Sequence, residues 1–331
     1  MQFHQLKRRE FITLLGGAAA VGWPLAARAQ QQTRRIGVLM AESESDPESD
    51  ARVTAFNRSL AKLGWTIGRN LQIDYRWAAG DVERTRVATA ELLRLAPNVI
   101  LAIASPSVRS VQQAAPTIPI VFIGVSEPIA QGFVQSLSHP GGNVTGFTNL
   151  EWGFGAKWVQ FLKEIAPHLS RVAIVFNPDT APYVASFVPS VETAAQELAV
   201  EPVMAAVRQP ADIDATMHML AREQGGGLIL PPDIFTTTHR KFVVELAARY
   251  GLPTIYPFRF FPVDGGLMSY GVDIPNLFRL AAGYIDRILK GERPADLPVQ
   301  QPTTSLQSTS RPRRRSDSKC LPLCSPRRRG D

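Results

Sequence analysis

Arg35-Ile36-Gly37-Val38-Leu39-Met40, near the start of the chain, and Val172-Ala173-Ile174-Val175-Phe176, near its middle, decide the fold between them. Each is a short and almost unbroken apolar run. That is the pattern of a strand buried on both faces, whereas a sheet with one wet face alternates. Working outward from the first run, a helix is expected from about Asp50 to Leu63, ended by Gly64, and Leu71–Tyr75 is a second strand. Val82–Leu95 is a second helix, and Val99–Ala104 a third strand followed at once by a helix through Gln113. Pro119–Ile123 is a fourth strand. The pattern then restarts. A helix from about Phe154 to Ala166 leads into the Val172 run, and strands at Glu201–Ala205, Gly227–Leu230 and Pro253–Tyr256 alternate with helices at Tyr183–Leu198, Ile213–Glu223 and His239–Tyr250. Apolar strands separated by helices predict parallel sheets covered on both faces. The expected fold class is therefore α/β, with two doubly wound parallel-sheet lobes joined by a hinge.

Glycine marks the expected crossings. Gly141-Gly142-Asn143-Val144-Thr145-Gly146 is the candidate junction, and Gly265-Gly266-Leu267-Met268-Ser269-Tyr270-Gly271 the candidate return, because extended glycine segments absorb φ/ψ changes cheaply. This divides the body into a first lobe at 30–146 with a return segment at about 271–302, and a second lobe at 147–270.

The two ends read differently from the body. Residues 1–29 carry Lys7-Arg8-Arg9-Glu10-Phe11-Ile12, an apolar stretch from Leu14 to Ala27, and Ala27-Arg28-Ala29. That is a twin-arginine pair, a core too short and too rich in glycine to span a bilayer, and a small-x-small cleavage site. Export to the periplasm with cleavage after Ala29 is expected. Of the formal net charge of +7, the leader contributes +3 and residues 303–331 contribute +6, which leaves −2 for residues 30–302. The body therefore offers no net basic field for nucleic acid. Both cysteines, Cys320 and Cys324, lie in the terminal segment, so the body has no thiol for a disulfide or a metal site.

In open α/β sheets, ligands sit beyond the carboxyl ends of the strands, beside helix N-termini. Ser105-Pro106-Ser107 follows a strand and opens a helix, where hydroxyls and free N–H groups suit a carboxylate. Ordinary capping, with Ser105 at the N-cap and Pro106 at N1, fits the same residues. Ser126-Glu127-Pro128 follows the fourth strand in the same way, Asn177-Pro178-Asp179 and Pro231-Pro232-Asp233 follow strands of the second lobe, and Glu42 and Ser43 follow the first strand. Tyr256 and Tyr270 are candidates to pack against a ligand or in the core. The candidate ligand contacts are thus Ser43, Ser105, Ser107, Ser126, Glu127, Asn177, Asp233 and Tyr270.

Signals for chemistry are poor. His4, His139, His168, His218 and His239 have no metal-ligand spacing, and there is no G-x-S-x-G elbow or P-loop. Gly225-Gly226-Gly227 precedes a strand and reads as a turn. No catalytic residue, cofactor or metal is expected, and the chain is not read as an enzyme.

These residues resemble a family. Arg35–Met40, Asn57–Trp65, Pro97–Ala104, Gly251-Leu252-Pro253, Gly271-Val272-Asp273, Gly291–Pro298 and, most specifically, Leu137-Ser138-His139-Pro140-Gly141-Gly142-Asn143-Val144-Thr145-Gly146 look like the ABC transporter substrate-binding proteins of the type I periplasmic-binding fold. The likeness points to the group that includes tryptophan and tyrosine importers and covers residues 34–302. It implies a monomeric receptor that closes on an amino acid or similar small organic solute and delivers it to an ABC permease in the inner membrane. It favours Ser105, Ser107 and Ser126 on one lobe and Asn177, Asp233 and Tyr270 on the other, with Glu127 standing where an aspartate is expected. The competing reading is a ligand-sensing domain feeding a signalling receptor; a transcription repressor would carry a helix-turn-helix where this chain has an export signal.

After Pro302 the chain departs from the family pattern into an Arg/Ser/Pro tract. Relatives continue with a strand and an Ala/Leu-rich helix. Synonymous codons for Leu-Lys-Thr-Ala-Lys-Ala-Leu-Gly-Leu-Lys-Val-Pro-Pro, read from the second base, reproduce Ser310 through Pro322. Residues 303–331 are therefore expected to be a frameshifted, disordered basic tail, the alternative being a natural basic tail that binds anionic lipid or nucleic acid.

Overall fold

A computed structural model of the protein describes residues 33–150, 153–301 and 304–308. The leader, Ala29 and the tract from Ser310 to Asp331 lie outside the described residues. Two sheets organise the rest. The first is wholly parallel, in the order β2-β1-β3-β4-β5, with β1 Arg34–Met40, β2 Leu71–Trp77, β3 Val99–Ile103, β4 Ile120–Val125 and β5 Val144–Thr148. Its helices are α1 Pro47–Lys62, α2 Val82–Arg94 and α3 Ala104–Ala114. The second repeats the winding in the order β10-β9-β8-β6-β7, with β6 Arg171–Phe176, β7 Glu201–Ala206, β8 Gly226–Ile229, β9 Thr254–Tyr256 and β10 Met268–Val272. Helices α4 Phe154–Ile165, α5 Val184–Glu197, α6 Pro210–Ala221, α7 Ile234–Thr238, α8 Arg240–Arg249 and the short α9 Phe260–Val263 belong to it.

The α/β class with two parallel-sheet lobes is what the apolar runs require. Ile36, Val38, Leu101 and Val121 are fully buried, as are Val172, Ile174 and Ile229 of the second sheet. Local chemistry sets the helix starts. Asp46 and Asp81 cap α1 and α2 by accepting backbone N–H groups of Glu48 and Arg84 at 2.9 and 2.7 Å.

The glycine crossings come out differently. β5 contains Val144–Thr148 and pairs with β4 from Ile120↔Val144 onward, so Gly141–Gly146 leads into the last strand of the first lobe. The chain leaves that lobe only after Thr148, past the expected boundary at 146. Likewise β10 pairs with β9, so the return follows Val272. From there α10, Ile274–Leu289, packs on α1 and on strands β3–β5. Gly146 and Gly271 serve close approach. A Cβ on Gly146 would lie 2.2 Å from the Phe122 carbonyl oxygen, and one on Gly271 1.8 Å from that of Pro257.

The expected disorder from residue 303 is also corrected. Thr304–Ser308 forms β11, antiparallel to β10 in register Val272↔Thr304 to Met268↔Ser308. The free edge of β10 offers a row of unpaired backbone groups, and pairing this segment satisfies them. The connection 274–300 is tied to the first lobe: Thr145 Oγ1 donates to Leu297 O at 2.6 Å, and Thr148 N–H to Gln300 O at 2.9 Å. The chain therefore crosses between the sheets after Thr148, after Val272 and again after Gln301.

Candidate functional site

The carboxyl ends of both sheets face one cavity. From the first sheet its wall takes Glu42 after β1, Ile103–Ser105 at the end of β3, Gly124 and Ser126 at the end of β4, and Asn149 after β5. Arg52 of α1 and Ile274 of α10 complete that side. The second sheet contributes Thr180 and Tyr183 after β6, Pro232–Ile234 after β8, Thr237 of α7, and Phe258 and Phe260 after β9.

The lobes touch around this space. Arg240, at the start of α8, holds Asp46 of the first lobe at 2.6 Å and Asp264 of its own lobe at 2.8 Å. Burial alone would pull the guanidinium down, but hydrogen bonds and charge from the two carboxylates outweigh it, and its pKa is raised. Nearby, Thr238 fits against Gly80, whose missing side chain makes the room.

Ser105 lies in the wall, but not as a cap. Helix α3 begins one residue earlier, with Ile103 at its N-cap and no side chain bonded there, and Ala104 takes φ 65°. The Ser105 hydroxyl instead accepts Gln131 Nε2 at 2.9 Å. The uncapped N-terminus of α3 thus opens on the cavity through Ala104 and Ser105. Ser126 is also in the wall, donating to Asn149 Oδ1 at 2.7 Å. Tyr183 donates to Pro232 O at 2.8 Å; burial pushes its phenol up, and Ser126 opposite acts in the other direction.

Asp233 faces the cavity while holding its own lobe together. It accepts the backbone N–H of Asn177 at 2.9 Å and of Phe235 at 3.0 Å, and the Thr180 hydroxyl, and it caps α7. Burial raises its pKa, and these hydrogen bonds only partly offset the rise.

The other sequence candidates fall elsewhere. Ser107 is buried in α3, outside the wall, with its hydroxyl unpartnered. Glu127 is half-buried after β4, at φ 48°, with its carboxyl raised by burial. Asn177 supports the wall from behind, its Oδ1 accepting the Asp179 N–H at 2.9 Å. Ser43 pairs with the Ser45 hydroxyl at 3.0 Å, away from the cavity. Tyr270 belongs to the core of the second lobe, with its ring 5.1 Å from Phe154 and 5.3 Å from Phe161, and its hydroxyl 2.8 Å from Lys157 Nζ. Tyr256 likewise stacks on Phe261.

Among the charged residues of the wall, sequence reasoning named Glu42 and Asp233 but passed over Arg52. Arg52 is 2% exposed and salt-bridged to Glu42, itself 7% exposed. Its signal was present. Ser49, Arg52, Phe56 and Leu60 form the buried stripe of α1, and a cation inside such a stripe calls for a partner. Phe258 and Phe260 were marked by an aromatic run directly after a strand.

Comparison with known proteins agrees with this architecture. A family described as ABC transporter substrate binding protein matches residues 37–307. A tyrosine-binding protein of Clostridioides difficile is 23% identical over 269 residues, covering 81% of this chain and 76% of that protein. Among solved structures, a conserved domain protein of Vibrio cholerae superposes with TM-score 0.76 at 25% identity, covering 84% of this chain and 92% of that one. An ABC domain from Streptococcus pneumonia in complex with L-Trp superposes with TM-score 0.75 at 22% identity over 82% of this chain and 90% of that one.

Proposed function

Since this chain belongs to the family of ABC transporter substrate binding proteins, we propose that it is the extracytoplasmic receptor of an ABC importer, closing on an amino acid and carrying out no chemistry. The observation that carries the reading is the cavity between the carboxyl ends of the two sheets, with the uncapped N-terminus of α3 opening into it. An α-carboxylate there would meet free N–H groups, the positive helix end and the hydroxyls of Ser105 and Ser126. Ser107, Glu127 and Asn177 act behind that surface, and Asp233 holds the opposite wall. The tyrosine-binding relative and the Trp-bound neighbour support the amino-acid class.

In this reading the leader exports the protein to the periplasm and is removed after Ala29, and the closed monomer docks on an inner-membrane permease. Thermal unfolding against a panel of amino acids and small carboxylates tests the ligand class. A solute at 100 times its Kd should stabilise the fold by about 2.7 kcal/mol. Failure of every amino acid, with stabilisation by another solute, would remove the amino-acid assignment and keep the receptor. Sequencing the exported protein should give Gln30 as its first residue; an N-terminus upstream of Ala29 would contradict cleavage.

A further inference from the structure

The end of the cleft farthest from the crossings is closed by contacts that need no solute. The crossings lie beside β5 and β10, where Thr148 pairs with Gln300 and β10 with β11. In the first sheet β2 stands at the opposite edge, four strand spacings or about 19 Å from β5. There the turns after β1 and β2 meet the α7–α8 corner of the second lobe.

Residues 238–240 make both contacts. Arg240 reaches across to Asp46, with the two side chains 8% and 10% exposed. An ion pair so shielded is screened little by salt and keeps more of its strength than a surface pair. On the same corner Thr238 packs against Gly80: a Cβ on Gly80 would lie 2.7 Å from Thr238 Oγ1 and 3.4 Å from its Cβ. The socket is braced. Gly80 N–H donates to Ala41 O at 2.7 Å and Ala79 N–H to Glu42 O at 3.1 Å, which ties the turn after β2 to the turn after β1. The corner is braced too, because Arg240 also holds Asp264 and its guanidinium carbon lies 5.4 Å from the Phe260 ring centroid.

We infer that this corner and its socket form a latch that holds the two lobes closed in the absence of any solute. Every partner in it belongs to the chain itself, so closure does not wait for a ligand to bridge the walls. Its position gives it leverage. A hinge motion about the β5 edge displaces the β2 edge most, so contacts there act on the longest arm. A ligand shifts such an equilibrium only by its differential affinity for the two forms, and the latch sets where that equilibrium starts. Closure and loading are then separate events, and solute exchange proceeds through release of residues 238–240. This holds whichever solute the cavity takes.

Disulfide trapping in the full-length chain tests the latch without a ligand. Gly80→Cys and Thr238→Cys place two Cβ atoms close to the ~3.8 Å of a disulfide, and Cys320→Ser with Cys324→Ser removes the other thiols. The protein is unfolded, dialysed and refolded first, so that no solute is carried over. The disulfide should form in the solute-free protein. Adding Asp46→Asn should slow it by about fivefold, as the closed form falls from the major to the minor state. Asparagine still caps α1 but removes the charge that faces Arg240. An unchanged rate overturns the latch. So does a folded protein that forms no disulfide, or forms it only after a mixture of the common amino acids is added; that last result leaves the receptor standing. Gly80 has φ 74°, so cysteine there is strained. Should the double-cysteine variant not fold, small-angle scattering of the solute-free wild type and of Asp46→Asn decides. The variant should have the larger radius of gyration, and equal radii overturn the latch.

Discussion

The two rims that meet across the cavity are wound alike but built on opposite plans. On the second lobe, one carboxylate, Asp233, gathers the loops after β6 and β8 through three donors and caps the helix that follows. On the first lobe the equivalent turn after β3 has no cap, and Ala104 and Glu127 hold left-handed backbone angles that favour glycine. Gln131 alone ties Ser105 to the loop after β4, through the Ser105 hydroxyl and the Ser126 carbonyl. One rim has spent its hydrogen bonds on itself; the other keeps donors in reserve. Under the proposed receptor reading, that difference assigns recognition to the first wall and closure to the second.

Below the rims the lobes are equivalent, and the largest expected effects come from breaking that equivalence. Each lobe ends its parallel winding on a strand with a glycine pressed against its neighbour, Gly146 in β5 and Gly271 in β10. Gly271→Ala forces a methyl group to within 1.8 Å of the Pro257 carbonyl oxygen, against backbone that cannot move alone. The cost should be about 4 kcal/mol or more, beyond ordinary overpacking. Chemical denaturation measures it, and a loss below ~1 kcal/mol would mean that β9 and β10 are not packed this closely.

Those two glycines also mark where the sequence was legible and where it was not. Six of the parallel strands, β1, β3, β4, β6, β8 and β9, announce themselves by apolar runs, because a strand covered on both faces has no polar side to show; the edge strands β2 and β7 are more exposed. β5 and β10 were passed over, since Val144-Thr145-Gly146 and Ser269-Tyr270-Gly271 mix polar residues with glycine and look like linkers. Flexibility and close packing both select glycine, and only the neighbouring chain tells them apart. The site was legible as the turns after β1, β3, β4, β6 and β8, and Ser105, Ser126 and Asp233 do line the cavity, whereas Asn149 after β5 and Phe258 after β9 were not named. Other side chains fell elsewhere. Tyr270 sits one pleat inside β10, among Phe154 and Phe161, and Arg52 lies in the buried stripe of a helix, away from the turns that follow the strands.

The next effect in size tests how the rims are held together. Arg240→Met removes the cation shared by the half-buried Asp46 and the exposed Asp264, one on each lobe. A loss of about 2 kcal/mol is expected by denaturation. Because Asp46 belongs to the opposite lobe, small-angle scattering should also show a more open average shape. A variant as closed as the wild type would mean that the rims meet without this contact.

Asp233 sharpens the contrast from the braced side. Asp233→Ala strands three donors and uncaps α7, for about 2 kcal/mol of stability. Its raised pKa fixes a sign as well. The folded protein binds this proton more tightly than the unfolded chain does, so the group's contribution is greatest below the ordinary carboxylate range. It declines as pH rises from there through the raised value. Asp233→Asn removes that decline. Melting temperatures of the two proteins, followed upward from about pH 4, should therefore diverge, with the wild type falling relative to the variant; parallel curves would contradict a raised Asp233.

Ser105→Ala is the mildest change and the most specific to the open rim. The residue caps nothing, and the Gln131 amide that it accepts is also bonded to the Ser126 carbonyl at 2.6 Å. Deleting the hydroxyl should therefore cost less than about 0.5 kcal/mol of stability, within the range of changes that break no cap, charge or packing. Affinity is another matter if the rim's reserve is meant for a ligand. Loss of one hydrogen bond to a carboxylate should weaken solute binding by roughly tenfold, equivalent to about 1.4 kcal/mol. The signature is the separation of the two quantities: Asp233→Ala lowers stability more than Ser105→Ala does, and Ser105→Ala lowers affinity more than it lowers stability. A Ser105→Ala protein that binds its solute unchanged would show that the hydroxyl serves only Gln131, and the recognising wall would have to be sought at Ser126 and Asn149.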